Sequence, residues 1–250
     1  MATAAARKTV PVHRVHTRRI GSRMPESAGP LRRRWHYHGL SIVLFTLFLV
    51  TMAGQTWSGW YAYNDDQRNH GEAEVSLVDY LGTGHFGEAT FENWESEFLQ
   101  MAFYVLLTIW LFQLGSSESK RPDVLELVDL DPRESPNKDK APWPVRQGGL
   151  VLRLYENSLS LAFALLFLVS FTLHAVTGVH EFNEDRMAHG QPEATVMEYA
   201  TSSQFWFESF QNWQSEFLSL AAMVGFSIFL RQRGSPESKP VDAPIWETSD

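Results

Sequence analysis

A fixed repeat spacing of 119 residues constrains this chain more than any other feature of its sequence. The segment FENWESEFL at 91–99 returns as FQNWQSEFL at 210–218, and GSSESK at 115–120 returns as GSPESK at 234–239. Both pairs have the same offset without a gap, which is typical of a duplicated structural unit. Any fold proposed for one copy must therefore also suit the other.

Four apolar segments interrupt an otherwise polar chain of 250 residues. The first and third, at about 40–60 and 159–179, are long enough as uncharged helices to cross the hydrocarbon core of a membrane. The second and fourth, at 99–114 and 217–230, reach spanning length only with the Asn-Trp-x-Ser-Glu turn before them. Since backbone groups in lipid must satisfy their own hydrogen bonds, the sequence predicts an all-α integral membrane protein with four transmembrane helices.

Basic residues are distributed unevenly along the chain. Nine Lys and Arg lie in residues 1–34, and only Arg68 and Arg186 of the 21 in the chain lie in the two predicted outer loops. The positive-inside rule then predicts that both termini are cytoplasmic. Residues 1–34 are interpreted as a disordered basic tail, with an Arg-rich organellar transit peptide as the alternative.

These features divide the chain into five predicted parts. They are a basic cytoplasmic tail at 1–34, a first repeat at 35–120, a cytoplasmic linker at 121–152, a second repeat at 153–239 and a cytoplasmic tail at 240–250. The predicted transmembrane helices are about 36–60, 93–114, 154–179 and 212–232. Because each repeat holds two helices, both copies are expected to have the same orientation, as tandem parallel hairpins related by an axis along the membrane normal.

The longer phrases FENWESEFLQMAFYVLLTIWLFQLGSSESK and FQNWQSEFLSLAAMVGFSIFLRQRGSPESK resemble those of an uncharacterised family of bacterial integral membrane proteins, classed as a domain of unknown function. The resemblance covers most of residues 34–240. It implies a multi-pass protein of the bacterial cytoplasmic (inner) membrane. The family carries no established activity, so no catalytic residue is transferred from it.

Polar residues follow one face of the predicted second and fourth helices. Asn93 and Glu97 begin this stripe in the first copy, and Asn212 and Glu216 begin it in the second. A carboxylate near hydrocarbon normally faces the bundle interior or water, which favours a polar cavity between the two copies. The candidate lining residues are Glu97, Glu216, Asn93, Asn212, Gln55, His174, Thr51 and Ser170.

The same acids also have a structural interpretation. In the first turns of helices that enter the membrane from outside, Glu97 and Glu216 would interact favourably with the helix dipole. Asn93 and Asn212 would then cap the helix starts, and the glycine that opens each Ser-rich motif would end the helices. Both interpretations stay open at this point.

A second candidate site lies in the predicted outer loops. Asp66 with His70, and Asp185 with His189, are each spaced one helical turn apart and carry ligand types that suit zinc. Two ligands are too few for a metal site, so the two copies would have to combine. We therefore interpret these residues as solvated loop residues and predict neither a metal centre nor a cofactor.

The sequence favours a non-catalytic membrane component rather than an enzyme. An accessory subunit or a homo-oligomeric scaffold of a membrane assembly suits the small size and the scarcity of catalytic groups in the apolar segments. The expected partners are the lipid bilayer and a membrane protein or further copies of the chain, and no nucleic acid. The alternative is a small cation or proton channel or transporter, because acidic outer loops and the pair Glu97 and Glu216 would attract cations.

Overall fold

The computed structural model describes residues 29–135 and 138–248, and within them all regular secondary structure is helical. The helices are α1 Pro30–His70, α2 Leu77–Tyr80, α3 Gly84–Trp110, α4 Trp143–Gln147, α5 Gly149–Glu156, α6 Ser158–Ala188, α7 Val196–Ala200 and α8 Ser203–Phe229. Between α3 and α4, short 3-10 turns occur at Leu127–Asp129, Pro132–Glu134 and Lys138–Lys140. The predicted all-α class is confirmed for this part of the chain. Most of the predicted tail at 1–34 lies outside the described residues, and its last residues, from Pro30, belong to α1 rather than to a disordered segment.

Two helices, α1 and α6, are long and apolar enough to cross a membrane. The helices α3 and α8 have 27 residues each, but their N-terminal halves are rich in polar and charged residues. The membrane character of the chain therefore rests on α1 and α6.

The chain divides into two compact units after Gln55. The described part of the first unit is the N-terminal part of α1, in which most apolar side chains are exposed. Here the Thr51 hydroxyl donates a hydrogen bond to the Leu47 carbonyl oxygen at 2.9 Å, so this polar group is satisfied within its own helix. The second unit begins at Thr56 and holds the end of α1 and all the later helices.

The helices α3 and α8 begin earlier than predicted. Their N-caps are Thr83 and Ser202, whose extended backbones and hydroxyl groups are favoured at this position. Each hydroxyl accepts a hydrogen bond from the backbone N–H three residues later, at 3.3 Å and 3.2 Å. The prediction that Asn93 and Asn212 cap these helices is therefore wrong.

The same two helices also end earlier than predicted. Their C-caps are Leu111 and Leu230, both in extended conformation, so the prediction that Gly115 and Gly234 cap them is wrong. Both glycines have positive φ angles, of 85° and 88°, a region that residues with a Cβ rarely adopt. They form a turn beyond the helix instead.

Matching hydrogen bonds close the segments that precede α2 and α7. The Asn64 side chain donates to the Val75 carbonyl oxygen at 3.0 Å and accepts from the Val75 N–H at 2.8 Å. Asn183 makes the same two bonds with Ala194, at 2.9 Å and 2.7 Å. The two loops thus have the same local structure at positions one repeat spacing apart.

Glycine allows α3 to approach α6 closely in the second unit. A Cβ atom on Gly84 would lie 2.7 Å from the backbone nitrogen of Glu181, and one on Gly87 would lie 2.6 Å from the Cβ atom of Thr177. These distances are shorter than real Cβ contacts, so only glycine fits at this helix crossing. The N-terminal third of α3 is therefore held directly against the C-terminal half of α6.

The second neighbour of α3 is α8. Gln100 Nε2 donates hydrogen bonds to the Glu216 carbonyl oxygen at 2.8 Å and to Ser219 Oγ at 2.9 Å. The rings of Phe103 and Phe217 also pack edge to face between the two helices, with centroids 5.8 Å apart. Gln100 and Ser219 are 119 residues apart, so this contact joins positions separated by the repeat spacing of the sequence.

Candidate functional site

Six side chains from α3, α6, α7 and α8 meet within the second unit and form what we call the carboxylate–histidine cluster. They are Glu88, Glu92, Glu95, His174, Tyr199 and Glu208. The three α3 glutamates are spaced by four and three residues, which places them on one helical face. The close approach of α3 and α6 at Gly84 and Gly87 brings this face to His174.

His174 lies at the centre of the cluster and is fully buried. Its Nδ1 atom is 3.1 Å from Glu95 Oε2, and its Nε2 atom is 3.5 Å from Glu208 Oε2. Phe205 stacks on the imidazole with ring centroids 4.6 Å apart, which restricts its rotation. Because a neutral imidazole has a single N–H, only the doubly protonated ring can donate to both carboxylates at once.

Glu95 is a carboxylate with 0% of its surface exposed. One of its oxygens faces His174, and the other accepts a hydrogen bond from Trp213 Nε1 at 3.2 Å. Burying a charge is costly unless the charge is paired and hydrogen-bonded, and Glu95 meets both conditions. It thereby fixes the orientation of the imidazole and leaves Nε2 facing Glu208.

Tyr199 connects the remaining two acids. Its hydroxyl lies 2.6 Å from Glu208 Oε2 and 3.0 Å from Glu88 Oε1. A hydroxyl has one proton to donate, so it cannot donate to two ionised carboxylates. One of these glutamates must bring a proton of its own to complete both hydrogen bonds.

The hydrogen-bond geometry favours Glu88 as that glutamate. Glu208 faces the His174 imidazole at 3.5 Å and accepts hydrogen bonds from Tyr199 and from Gln204. Hydrogen bonds and a neighbouring imidazolium favour the ionised form of a carboxyl group. Glu88 is hydrogen-bonded to Tyr199, so we infer that the proton lies on Glu88 and that Glu208 is ionised.

Glu92 lies at the edge of the cluster. It accepts a hydrogen bond from the Asn212 side chain, which also donates to the Glu208 carbonyl oxygen at 3.1 Å. Asn212 therefore links α3 to α8 beside the cluster rather than starting a helix. Of the predicted cavity residues, Asn212 and His174 are the two that the structure brings to this site by hydrogen bonds.

Three members of the cluster can share a metal ion. Glu88, His174 and Glu208 each offer one ligand atom, and these atoms all lie within 4.8 Å of one another. A carboxylate, an imidazole and a second carboxylate form a ligand set that suits divalent cations of intermediate softness. The chemistry of the cluster therefore includes cation binding as well as hydrogen bonding.

The predicted pair of acids lies elsewhere, at the contact between α3 and α8. Glu97 and Glu216 are in the middle of these helices, so the prediction that they occupy first turns is wrong. Glu97 is exposed and Glu216 is only partly buried, as is expected for acids outside a sealed cavity.

The other predicted lining residues are scattered. Asn93 is exposed and donates to the Ala89 carbonyl oxygen of its own helix at 2.7 Å. Ser170 is buried one turn before His174 on α6. Thr51 and Gln55 belong to the first unit and are described with it alone.

The loop residues that were weak metal candidates form two separate pairs at helix ends. His70 Nδ1 lies 3.5 Å from Asp66 Oδ2, and His189 Nδ1 lies 3.4 Å from Asp185 Oδ1, with every side chain more than half exposed. Among the described residues, the set that brings three potential ligand atoms together is instead Glu88, His174 and Glu208.

Sequence reasoning missed the glutamates of the cluster because it searched for identities between the two copies. The cluster occupies positions at which the copies differ. One repeat spacing away from Glu88, Glu92, Glu95, His174 and Glu208 lie Phe207, Gln211, Gln214, Gln55 and Ala89. An ionisable residue in one copy and a neutral residue in the other, repeated at five positions, was the signal that could have located this site.

Comparisons with curated proteins and with solved structures return no match to this chain. A family model does match, and it covers residues 31–250, which include all the helices that form the carboxylate–histidine cluster. The chain therefore belongs to the family described as "Domain of unknown function (DUF6766)".

Proposed function

We propose that the protein is an integral membrane protein that binds cations in the carboxylate–histidine cluster and conducts or transports them. The observation that carries this proposal is the convergence of Glu88, Glu95 and Glu208 on one buried imidazole, with Glu92 at the edge of the same cluster. Four acids around a single basic group leave an excess of negative charge. In a buried site such an excess requires cations, either protons or metal ions.

The proposed topology has four spans, α1, α3, α6 and α8, in a bacterial inner membrane with both termini cytoplasmic. At 1.5 Å per residue, the 27 residues of α3 and of α8 extend about 40 Å, which exceeds the thickness of the hydrocarbon core. The uneven distribution of Lys and Arg supports this orientation. In this topology the cluster faces the outer leaflet, since α3 and α8 would begin on the outside.

A tandem duplication is part of the same proposal. Two observations support it, namely the matching loop hydrogen bonds of Asn64 and Asn183 and the contact between Gln100 and Ser219. Equivalent residues that touch each other must lie near the axis that relates the two copies. This geometry is expected of parallel repeats related by a pseudo-twofold axis along the membrane normal.

The proposal is tested by cation flux into proteoliposomes that contain the purified full-length protein. We expect proton or metal-ion flux with the parent protein and loss of most of it with Glu208→Gln, which removes an ionised carboxylate at nearly constant volume. The matched control is the double substitution Glu97→Gln with Glu216→Gln, at the other pair of acids. Its flux is expected to equal that of the parent protein.

Two results would contradict the proposal. The first is the absence of flux of any tested cation with the parent protein. The second is unchanged flux with Glu208→Gln. Loss of flux only in the Glu97 and Glu216 double variant would assign transport to the α3–α8 contact instead of the cluster.

An accessory subunit or scaffold of a membrane assembly is the second proposed function. The exposed aromatic residues of α8, such as Phe207, Phe210 and Phe229, favour it, because they offer contact area to lipid or to another membrane protein. Purification in mild detergent followed by mass spectrometry tests it. Recovery of stoichiometric partners or of a defined oligomer would support the subunit role, and recovery of a monomer would contradict it.

A further inference from the structure

We propose that the cation bound by the carboxylate–histidine cluster is a divalent first-row transition metal ion, held by Glu88, His174 and Glu208. This inference rests on the proposed function and specifies its cation. It is argued from the geometry of the ligands, from the groups that orient them and from a buried hydroxyl group beside them.

The three ligand atoms are close to the spacing that one ion requires. Oxygen and nitrogen ligands bind such ions at about 2.0–2.2 Å, so ligands of a common ion lie at most about 4.4 Å apart. The ligand atoms of Glu88, His174 and Glu208 lie within 4.8 Å of one another. The Tyr199 hydroxyl lies 3.0 Å from Glu88 Oε1, 2.6 Å from Glu208 Oε2 and 3.5 Å from His174 Nε2. A bound ion would therefore displace this hydroxyl or take it as a further oxygen ligand.

The imidazole is already oriented as a metal ligand. Metal-binding histidines commonly donate the second ring N–H to a carboxylate, which fixes the tautomer and strengthens the ligand. Glu95 faces Nδ1 of His174 at 3.1 Å and is itself held by Trp213. The ring atom that would bind the ion is then Nε2, which lies 3.5 Å from Glu208 Oε2. Glu95 is accordingly a positioning residue.

A buried hydroxyl group gives independent support. Ser209 is fully buried, and within the described residues its Oγ atom has no hydrogen-bond partner. Ser209 lies one helical turn from both Phe205 and Trp213. Phe205 stacks on His174, and Trp213 donates a hydrogen bond to Glu95. Ser209 is therefore on the face of α8 that covers the cluster. Buried polar groups are normally hydrogen-bonded, and a water molecule on the bound ion would provide the partner.

The ligand types define the class of ion. Imidazole suits zinc, iron, nickel and copper rather than calcium or magnesium, which prefer oxygen ligands alone. The chain has no cysteine, so the site lacks the soft ligands that select copper(I). The remaining class consists of divalent ions such as Zn²⁺, Fe²⁺ and Ni²⁺. Their charge would offset the excess of acids in the cluster.

The test uses the purified full-length protein in detergent, freed of metal with a chelator and titrated with Zn²⁺ and with Co²⁺ as a spectroscopic probe. We expect one ion per chain and the visible absorption of Co²⁺ bound by nitrogen and oxygen ligands. Glu95→Gln, which alters only the group behind His174, is expected to weaken binding about 10–100-fold. His174→Gln is expected to weaken it further.

The matched control is the double substitution His70→Gln with His189→Gln, which removes the two exposed loop histidines and should leave binding unchanged. Size-exclusion profiles and thermal unfolding confirm that each variant is folded, and Glu208→Gln replaces His174→Gln if the latter does not fold. Absence of Zn²⁺ and Co²⁺ binding, or its loss in the loop variant only, would overturn the inference. Proton flux without metal binding would overturn it while leaving the proposed function intact, whereas absence of both would overturn the two together.

Discussion

Replacing His174 with leucine is expected to lower the free energy of unfolding by about 3–5 kcal/mol, because it leaves Glu95 buried without its charged partner. Trp213 alone would then stabilise the carboxylate, which has no access to solvent. The measurement is denaturant or thermal unfolding of the purified protein in detergent, with chelator present so that metal binding does not contribute. This is the largest effect that we expect from a single substitution.

The double substitution His174→Leu with Glu95→Leu separates two contributions to the loss of stability. One is the cost of leaving Glu95 buried without His174, and the other is the loss of packing around the imidazole. Removing both members of a buried pair is often far less costly than removing one, since no charge is left uncompensated. We therefore expect the double variant to be more stable than His174→Leu alone. A double variant that shows the sum of the two single losses would contradict the pairing of His174 with Glu95.

Replacing Gly84 with alanine is expected to destabilise the protein by about 1–3 kcal/mol, the usual cost of overpacking a filled site. The new Cβ atom would lie 2.7 Å from the backbone nitrogen of Glu181 and 2.8 Å from the Cβ atom of His180. Neither atom belongs to the flexible end of a side chain, so α3 must move away from α6. Because Glu88 is one turn further along α3, the same substitution is expected to weaken cation binding.

Gly225→Ala is the matched control for this prediction. Gly225 lies inside α8, and a Cβ atom there would meet nothing within 4 Å. Alanine is more favourable than glycine in a helix by about 0.8–1.0 kcal/mol, so this variant is expected to be slightly more stable than the parent protein. Equal effects of the two substitutions would mean that the crossing of α3 and α6 does not depend on glycine.

The apolar segments predicted the helices well because burial in lipid or protein requires long continuous apolar stretches. The starts of α3 and α8 were predicted less well. Residues 84–92 contain two glycines, a histidine and two glutamates, and residues 203–211 mix polar residues with aromatic ones, so neither segment has the continuous apolar character that marked the helices. Tertiary contacts outweigh these propensities, since α3 needs Gly84 to pack against α6.

The candidate site was predicted only in part. His174 and Asn212 were selected because polar residues in or near apolar segments are unusual, and both belong to or border the cluster. Glu88, Glu95 and Glu208 could be distinguished from the other acids of the chain only by the neutral residues that lie one repeat spacing away from them. Their burial depends on how α3 packs between α6 and α8, which no local pattern in the sequence records.

The cluster draws its glutamates on α3 from one half of the chain and His174 and Glu208 from the other. On the proposed duplication, an ancestor with a single hairpin could have assembled such a site only by pairing with another copy of itself, and that symmetric pair would have held two sites. Fusion of the two copies into one chain would have released one of these sites from selection. The glutamines, phenylalanine and alanine found one repeat spacing away from the cluster residues would then mark the second site, which has lost its ionisable groups.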